Sequence, residues 1–232
     1  MTWLWSNLDL VWLRTLDHIV LSLPPIVLSF VIALPLGWLA NRYRPTRGAI
    51  LSIAGLFYAI PSLPLLFILP VIIGTSLRSP ANLIAALTLY GLALMVRVVA
   101  DGLASVDPDV RQSATAVGFS AWSRFWLVEL PLAGPVLLAG VRVVAVSTVS
   151  LATVGAVIGA KSLGSLFTDG FQRGIQVEII TGIVATVLLA LVLDGAVVLL
   201  GRVLMPWTRR IRRIRPASVA ALGPMTVVRG TA

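Results

Sequence analysis

The sequence lacks cysteine altogether and has one histidine, His18, and one lysine, Lys161. Without cysteine the chain can form no disulfide, thiolate metal site or cysteine nucleophile, and a single histidine cannot build a multi-histidine metal centre. Charged residues are also scarce, at 12% against about 25% in an average soluble domain. These shortages exclude an ordinary cytosolic enzyme and a disordered chain, and we expect no metal site.

Long runs without formal charge take the place of the missing polar residues, and 58% of the 232 residues are apolar. About 20 apolar residues cross a bilayer as a helix, which satisfies its own backbone hydrogen bonds in lipid. The runs predict five transmembrane helices, at about 18–41, 49–73, 80–100, 131–159 and 179–204. We therefore expect an all-α membrane protein whose transmembrane domain occupies residues 18–205 in a lipid bilayer.

The basic residues divide unevenly between the two ends of these spans. Twelve fall at one end, namely Arg42, Arg44, Arg47, Arg111, Arg124 and seven arginines from Arg202 to Arg229; four fall at the other, namely Arg14, Arg78, Lys161 and Arg173. The positive-inside rule then predicts an extracytoplasmic segment 1–17 and a basic, disordered cytoplasmic tail 206–232. The arginine cluster of this tail suits anionic lipid headgroups. Nucleic-acid binding is the disfavoured alternative, because the cluster directly follows a span.

The segment between the third and fourth spans is too polar to cross a membrane and carries its own helix signals. Asp107 can cap a helix whose first residue is Pro108, and Gly118 can end that helix. A second short helix is predicted over 121–128. Such a helix–glycine–helix projection suits docking into a groove of a partner. An interfacial amphipathic loop without a partner is the alternative.

This segment resembles the EAA loop of ABC-importer permeases, here at residues 107–131. The family pattern is Glu-Ala-Ala, three residues, Gly, nine residues and then Ile-x-Leu-Pro. The second alanine, the glycine, the leucine and the proline are present, whereas Gln112 and Ser113 replace the first two residues and Val128 replaces the isoleucine. In the family this loop is a coupling helix that sits in a cleft of the ATPase subunit. The resemblance therefore implies ATPase-coupling roles for Gln112, Ser113, Ala114, Ala116, Val117, Gly118, Phe119, Leu130 and Pro131.

A wider resemblance covers roughly residues 15–205. The stretches HIVLSLPPIVLSF, AIPSLPLLFILP and VGAVIGAKSLG are similar, in order and spacing, to permeases for glycine betaine, choline and related osmoprotectants in the MetI-like family. The resemblance implies a five-helix core that pairs with a second permease, identical or related, in the bacterial plasma (inner) membrane. It also implies a separate ATPase subunit and an extracytoplasmic substrate-binding protein.

By this resemblance the chain is a transport subunit and not an enzyme, and it needs no cofactor of its own. Gly155–Ser162 does not fit a phosphate-binding loop, because Ala160 stands where that motif needs glycine. ATP and magnesium would therefore bind to the partner ATPase. The expected solutes are glycine betaine, choline and proline betaine. A permease of the same fold for an amino acid such as methionine, and a stand-alone secondary carrier, are the alternatives.

Polar and helix-breaking residues inside the spans are candidates for the translocation path. Pro61 and Ser62 interrupt the second span and Tyr90 lies in the third; broken helices often lie beside a path, although packing kinks are the alternative. Ionisable residues deep in a span usually face the bundle interior or water. Arg142 is therefore expected either to take part in gating or to pack near the cytoplasmic side. Asp194 either attracts a cationic solute or pairs with Arg142.

Two further features allow several interpretations. Arg97 and Asp101 are four residues apart, which favours a local ion pair on one helix face over a transport role. The glycine-rich external segment 160–176 is expected to be an outer gate, a contact for the binding protein or a plain connecting loop.

Overall fold

The computed structural model describes residues 2–208, so the arginine cluster and most of the predicted disordered tail lie outside the described residues. This part of the chain contains no β-strand. It forms ten α-helices: Thr2–Ser6 (α1), Leu8–Arg42 (α2), Arg44–Ala59 (α3), Ser62–Ile73 (α4), Pro80–Ala104 (α5), Pro108–Ala116 (α6), Ala121–Arg124 (α7), Leu130–Ala152 (α8), Gly164–Arg173 (α9) and Gln176–Leu204 (α10). A π-helical turn, Phe125–Glu129, leads into α8, and a 3₁₀ segment, Thr153–Ile158, follows it.

Four long apolar helical stretches can cross a membrane, and α3 with α4 makes a fifth crossing if this bent pair counts as one span. The predicted all-α fold with five spans is thereby confirmed. The second span is interrupted where Pro61 and Ser62 predict a break, since α3 and α4 meet there at an angle of 107°. The bend follows from the sequence, since Pro64 has no N–H to bond the carbonyl oxygen of Ile60 four residues earlier.

The helix that contains the first span begins earlier than the predicted span. The helix α2 starts at Leu8, ten residues before the predicted boundary at residue 18, so most of the segment predicted as non-membrane is helical. Its first turns carry Asp9, Arg14 and Asp17, and Arg14 pairs with Asp17 at 3.2 Å. Hydropathy detects only the apolar part of a helix, and charged turns that extend beyond it go unseen.

The centre of the bundle is the contact between α2 and α5, which run parallel. A Cβ atom on Gly37 of α2 would lie 2.5 Å from the side chain of Val99, and one on Gly91 of α5 would lie 2.8 Å from the Ser29 hydroxyl. Only glycine fits at these crossings, as is usual where membrane helices pack closely. Ser29 and Gly91 are thus at one level of the bundle, and Gly37 and Val99 lie two turns further along.

The helix α8 runs antiparallel to α5, and α10 packs on the far side of α8. A Cβ atom on Gly140 would meet Val98 at 2.4 Å, and one on Gly201 would meet Leu138 at 2.4 Å. The buried apolar residues form two clusters along α5 and a third beneath α9. The ends of α5 consequently define the two ends of the molecule, with α6 directly after the C-terminal one.

The segment 160–176 is not a plain connecting loop, which corrects one of the three interpretations. Most of it forms α9, which lies so close to the end of α8 that a Cβ atom on Gly164 would be 2.1 Å from the carbonyl oxygen of Thr153. Arg173 at its end donates a 2.9 Å hydrogen bond to the fully buried Glu178 of α10. The ion pair fixes α9 against the start of α10.

Candidate functional site

The loop between α5 and α8 folds from local signals as predicted. The Asp107 side chain accepts a hydrogen bond from the N–H of Asp109 at 2.8 Å, and Pro108 occupies the first helical position of α6. Gly118 ends the helix with a φ of +98°, a conformation that residues with a Cβ atom rarely adopt. Ser120 then caps α7 by accepting a hydrogen bond from the N–H of Ser123 at 3.2 Å.

The nine predicted coupling residues fall into three groups within this loop. None of the residues of α6 is buried, and Val117 at its end is 80% exposed. Five lie exposed at the tip, namely Gln112, Ser113, Ala116, Val117 and Gly118. Ala114 and Phe119 are half-buried on the side of the bundle, and Leu130 with Pro131 begins α8. The loop is therefore a projection with an open outer face.

A set of contacts that the sequence did not reveal fixes the base of this projection. Arg124 donates one hydrogen bond to Thr115 of α6 at 2.7 Å and another to Glu129 at 2.8 Å. Arg111 of α6 donates to the carbonyl oxygen of Leu103 at the end of α5. Residues five apart do not face each other on an α-helix, so only the π-helical turn brings Arg124 and Glu129 together.

Aromatic side chains complete the base. Phe125 is buried, and its ring lies 6.0 Å from that of Trp38 in α2 and 5.0 Å from that of Trp126, with near-perpendicular planes. Trp122 contacts the same group. Edge-to-face aromatic pairs of this kind are rigid and favourable. The projection is thereby connected to α2 as well as to α5 and α8.

Three predicted path residues meet at the bend between α3 and α4. The Tyr90 hydroxyl donates to the carbonyl oxygen of Ile60, and its ring packs 6.2 Å from that of Tyr58. Pro61 precedes α4 and Ser62 begins it. Tyr90 is 7% exposed, and its hydroxyl supplies the hydrogen bond to Ile60 that Pro64 cannot give.

The other two predicted path residues pair with each other on a different face. Arg142 of α8 donates two hydrogen bonds to Asp194 of α10, at 2.7 and 2.8 Å, one to each carboxylate oxygen. This is the pairing that one interpretation of Asp194 predicts. The pair lines an open groove of about 810 Å³ between α8 and α10, with Ser147, Ser150 and Thr186 as its other polar residues.

A second groove lies on the other side of α8. It has a volume of about 560 Å³ between α3, α5 and α8, and Tyr58 and Arg97 line it. The predicted pair of Arg97 with Asp101 is wrong, because Asp101 pairs with Arg47 of α3 at 2.7 Å. The turn between α2 and α3 brings Arg47 across to the end of α5, a contact that helix spacing alone cannot show. The two grooves share Ala139 and Val143, which form a ridge on α8.

These observations define a class of protein: a helical membrane protein with open grooves on two sides of one helix and a projecting loop at one end. A family model described as the inner membrane component of binding-protein-dependent transport systems matches residues 26–210. The chain belongs to this family, which confirms the resemblance found in the sequence. It is accordingly a multi-pass transport permease subunit and not an enzyme.

Several curated relatives match over most of the chain. The glycine betaine/carnitine/choline permease OpuCB of Bacillus subtilis is 29% identical over 206 residues, covering 89% of this chain and 94% of its own. The choline permease OpuBB of the same species is 31% identical, covering 83% and 88%. The osmoprotectant import permease OsmW of Salmonella typhimurium is 33% identical, covering 83% and 90%.

Solved structures share the fold. An inward-facing form of the MetNI methionine ABC transporter has a TM-score of 0.74 at 24% identity, covering 88% of this chain and 98% of the matched one. The crystal structure of an amino acid ABC transporter with histidines has a TM-score of 0.66 at 14% identity. These likenesses establish the MetI-type architecture and carry no information about the solute.

Proposed function

We propose that the chain is the permease subunit of an ABC importer that moves quaternary-ammonium osmoprotectants, such as glycine betaine, choline and proline betaine, into a bacterial cell. The observation that carries the ABC assignment is the projection formed by α6, whose outer face is open while its base is fixed. Support for the solute comes from relatives at 29–34% identity whose names specify glycine betaine, carnitine and choline, or osmoprotectants in general. Methionine is supported only by a likeness in fold.

The proposal assigns a partner to each end of the molecule. An ATPase subunit, which binds ATP and magnesium, receives α6 in a surface cleft. A substrate-binding protein delivers the solute at the opposite end, where α9 lies. The N-terminus is then outside and the C-terminus inside, in agreement with the basic residues concentrated at the α6 end.

The contacts at the base of α6 provide a route for movement. ATP binding draws the two ATPase subunits together and displaces α6. Arg111 bonds α6 to the end of α5, and Thr115 of α6 bonds Arg124, which bonds Glu129 at the start of α8. Phe125, next to Arg124, contacts Trp38 of α2, so the displacement reaches three spans. The bundle then exchanges between inward-facing and outward-facing states, each stabilised by a different state of the ATPase.

The test is uptake of labelled glycine betaine and choline in a strain without its own uptake systems. The strain receives this chain with its neighbouring ATPase and binding-protein genes, and a matched strain receives an ATPase without its catalytic glutamate. We expect saturable uptake that is lost with the inactive ATPase and that survives collapse of the ion gradients. Uptake that persists without the ATPase would identify a secondary carrier. Uptake of methionine alone would refute the solute assignment.

A further inference from the structure

A small notch lies at the end of the bundle opposite α6. The helix α5 separates the two ends by 25 residues, or roughly 37 Å. The notch has a volume of about 320 Å³ and lies between the third and fourth turns of α2, the turn before α5 and the loop before α9. Small-molecule sites begin at about this size.

Two cationic side chains that form no ion pair within the described residues line the notch. Arg78 and Lys161 both line it, are both exposed and make no ion pair within residues 2–208. The Nε atom of Arg78 lies 3.3 Å from the position that a Cβ atom on Gly159 would occupy. Gly159 has a φ of +87°, so the backbone both favours glycine and leaves room for the guanidinium.

The notch also contains the opposite charge and an apolar wall. The Asp17 carboxylate lines it, 35% exposed and held at 3.2 Å from Arg14. Val20, Leu21 and Ala160 line the same space. One compartment thus offers cations, a carboxylate and apolar surface together.

This combination matches a small zwitterion. An arginine and a lysine suit a carboxylate, which accepts charge-assisted hydrogen bonds. A quaternary ammonium group donates no hydrogen bond, so it is attracted by a carboxylate and tolerates apolar neighbours. Glycine betaine carries both groups, whereas choline carries only the ammonium group.

We propose that this notch is an entry site that favours zwitterionic betaines over cationic choline, with Arg78 and Lys161 contacting the carboxylate and Asp17 attracting the ammonium group. The proposal rests on the proposed function, since it concerns the solutes named there. An anionic lipid headgroup is the rival occupant, but Asp17 would repel it.

The experiment compares maximal uptake rates for glycine betaine and choline in proteoliposomes that contain the whole transporter. Both solutes are supplied at saturation, so that the binding protein is fully loaded and the permease step limits the rate. The double variant Arg78→Gln, Lys161→Gln is expected to lower the glycine betaine rate by about tenfold and leave the choline rate at least as high. The charge-preserving variant Arg78→Lys, Lys161→Arg is expected to restore most of the glycine betaine rate.

Asp17 has a matched control in its own ion pair. Asp17→Asn is expected to slow both solutes, because both carry the ammonium group. Arg14→Gln breaks the same ion pair but keeps the carboxylate, and it is expected to slow neither. Equal effects of these two variants would mean that only the Arg14–Asp17 ion pair matters, which would overturn the role of the Asp17 carboxylate in attracting the ammonium group.

The outcomes separate the site from the function on which it rests. Wild-type protein that carries neither solute refutes the proposed function. If the wild-type protein carries both solutes and the Arg78 and Lys161 variants leave the ratio of the two rates unchanged, only the role of the notch is refuted. An equal loss for both solutes in those variants also refutes it. So does an effect that disappears when phosphatidylglycerol is left out of the vesicles, because the occupant is then a lipid.

Discussion

At the scale of single residues, two polar side chains in this bundle, those of His18 and Tyr90, replace backbone hydrogen bonds that a helix has lost. His18 is fully buried and donates from Nε2 to the carbonyl oxygen of Val149 at 3.0 Å, while its Nδ1 accepts from the N–H of Leu163 at 3.3 Å. The Val149 carbonyl is free because α8 tightens into 3₁₀ geometry at Thr153. Tyr90 performs the same role for Ile60.

The Arg142–Asp194 pair gives the prediction at this scale. Asp194→Ala leaves an arginine unpaired about 18 Å into α8, and an uncompensated charge at that depth is costly. We expect the variant to unfold several degrees lower in detergent and to lose most of its uptake. The exchanged pair Arg142→Asp, Asp194→Arg should recover much of the unfolding temperature. An exchanged pair as unstable as the single variant would show that the two residues act separately.

At the scale of elements, α6 depends on the way it ends. Gly118 has a positive φ, and a Cβ atom there would meet nothing within 4 Å, so a side chain would act only through the backbone. The Phe119 N–H donates to the Ala114 carbonyl at 3.1 Å, which completes the turn that Gly118 allows. The direction of the chain from α6 into α7 is therefore set by one dihedral angle.

The prediction for this element is that Gly118→Val uncouples transport without unfolding the bundle. A left-handed conformation costs a β-branched residue about 1–2 kcal/mol, so α6 would end differently and fit its partner poorly. We expect normal amounts in the membrane, several-fold weaker recovery of the ATPase on affinity purification, and little uptake. Gly48→Ala in α3 is the matched control, since a Cβ atom there also meets nothing within 4 Å. Undiminished uptake by Gly118→Val would contradict the coupling role.

At the scale of the whole molecule, the face around α8 is unsuited to lipid. Arg142 is 46% exposed and Arg97 is exposed, and both line open grooves. Charged residues within a span face protein or water and avoid lipid. We therefore expect a second permease to cover this face, so that the two grooves become part of a path between two chains.

Because the sequence has no cysteine, the expected pairing can be tested with single introduced cysteines. Val143→Cys lies on the ridge between the grooves, where the native valine is 58% exposed, and should cross-link to a second permease in membranes. Val27→Cys on α2 is the control, since this valine is 52% exposed and lines neither groove. Mass spectrometry then identifies the product as this chain or a relative. A cross-link at Val27 and not at Val143 would contradict the interface.

Much of the fold was predictable because its causes are local. Charge-free runs located the spans, and the Asp107, Pro108 and Gly118 signals located α6 and its end. The errors arose where distant segments meet. Asp101 pairs with Arg47, which lies beyond the turn between α2 and α3, and not with Arg97 one helical turn away. The segment before α10 forms a helix that packs against α8 and α10.

The sequence by itself determined the class of protein, the number of spans and the helices of the loop between α5 and α8, since hydropathy, capping residues and proline act over a few residues. Only the tertiary structure decided which polar groups become partners. It brought Arg142 to Asp194, bonded Tyr90 to the bend between α3 and α4, and gathered Asp17, Arg78 and Lys161 at one notch. The two bonded pairs are 30 and 52 residues apart, and the notch residues come from three separate segments, so only helix packing sets the distances between them.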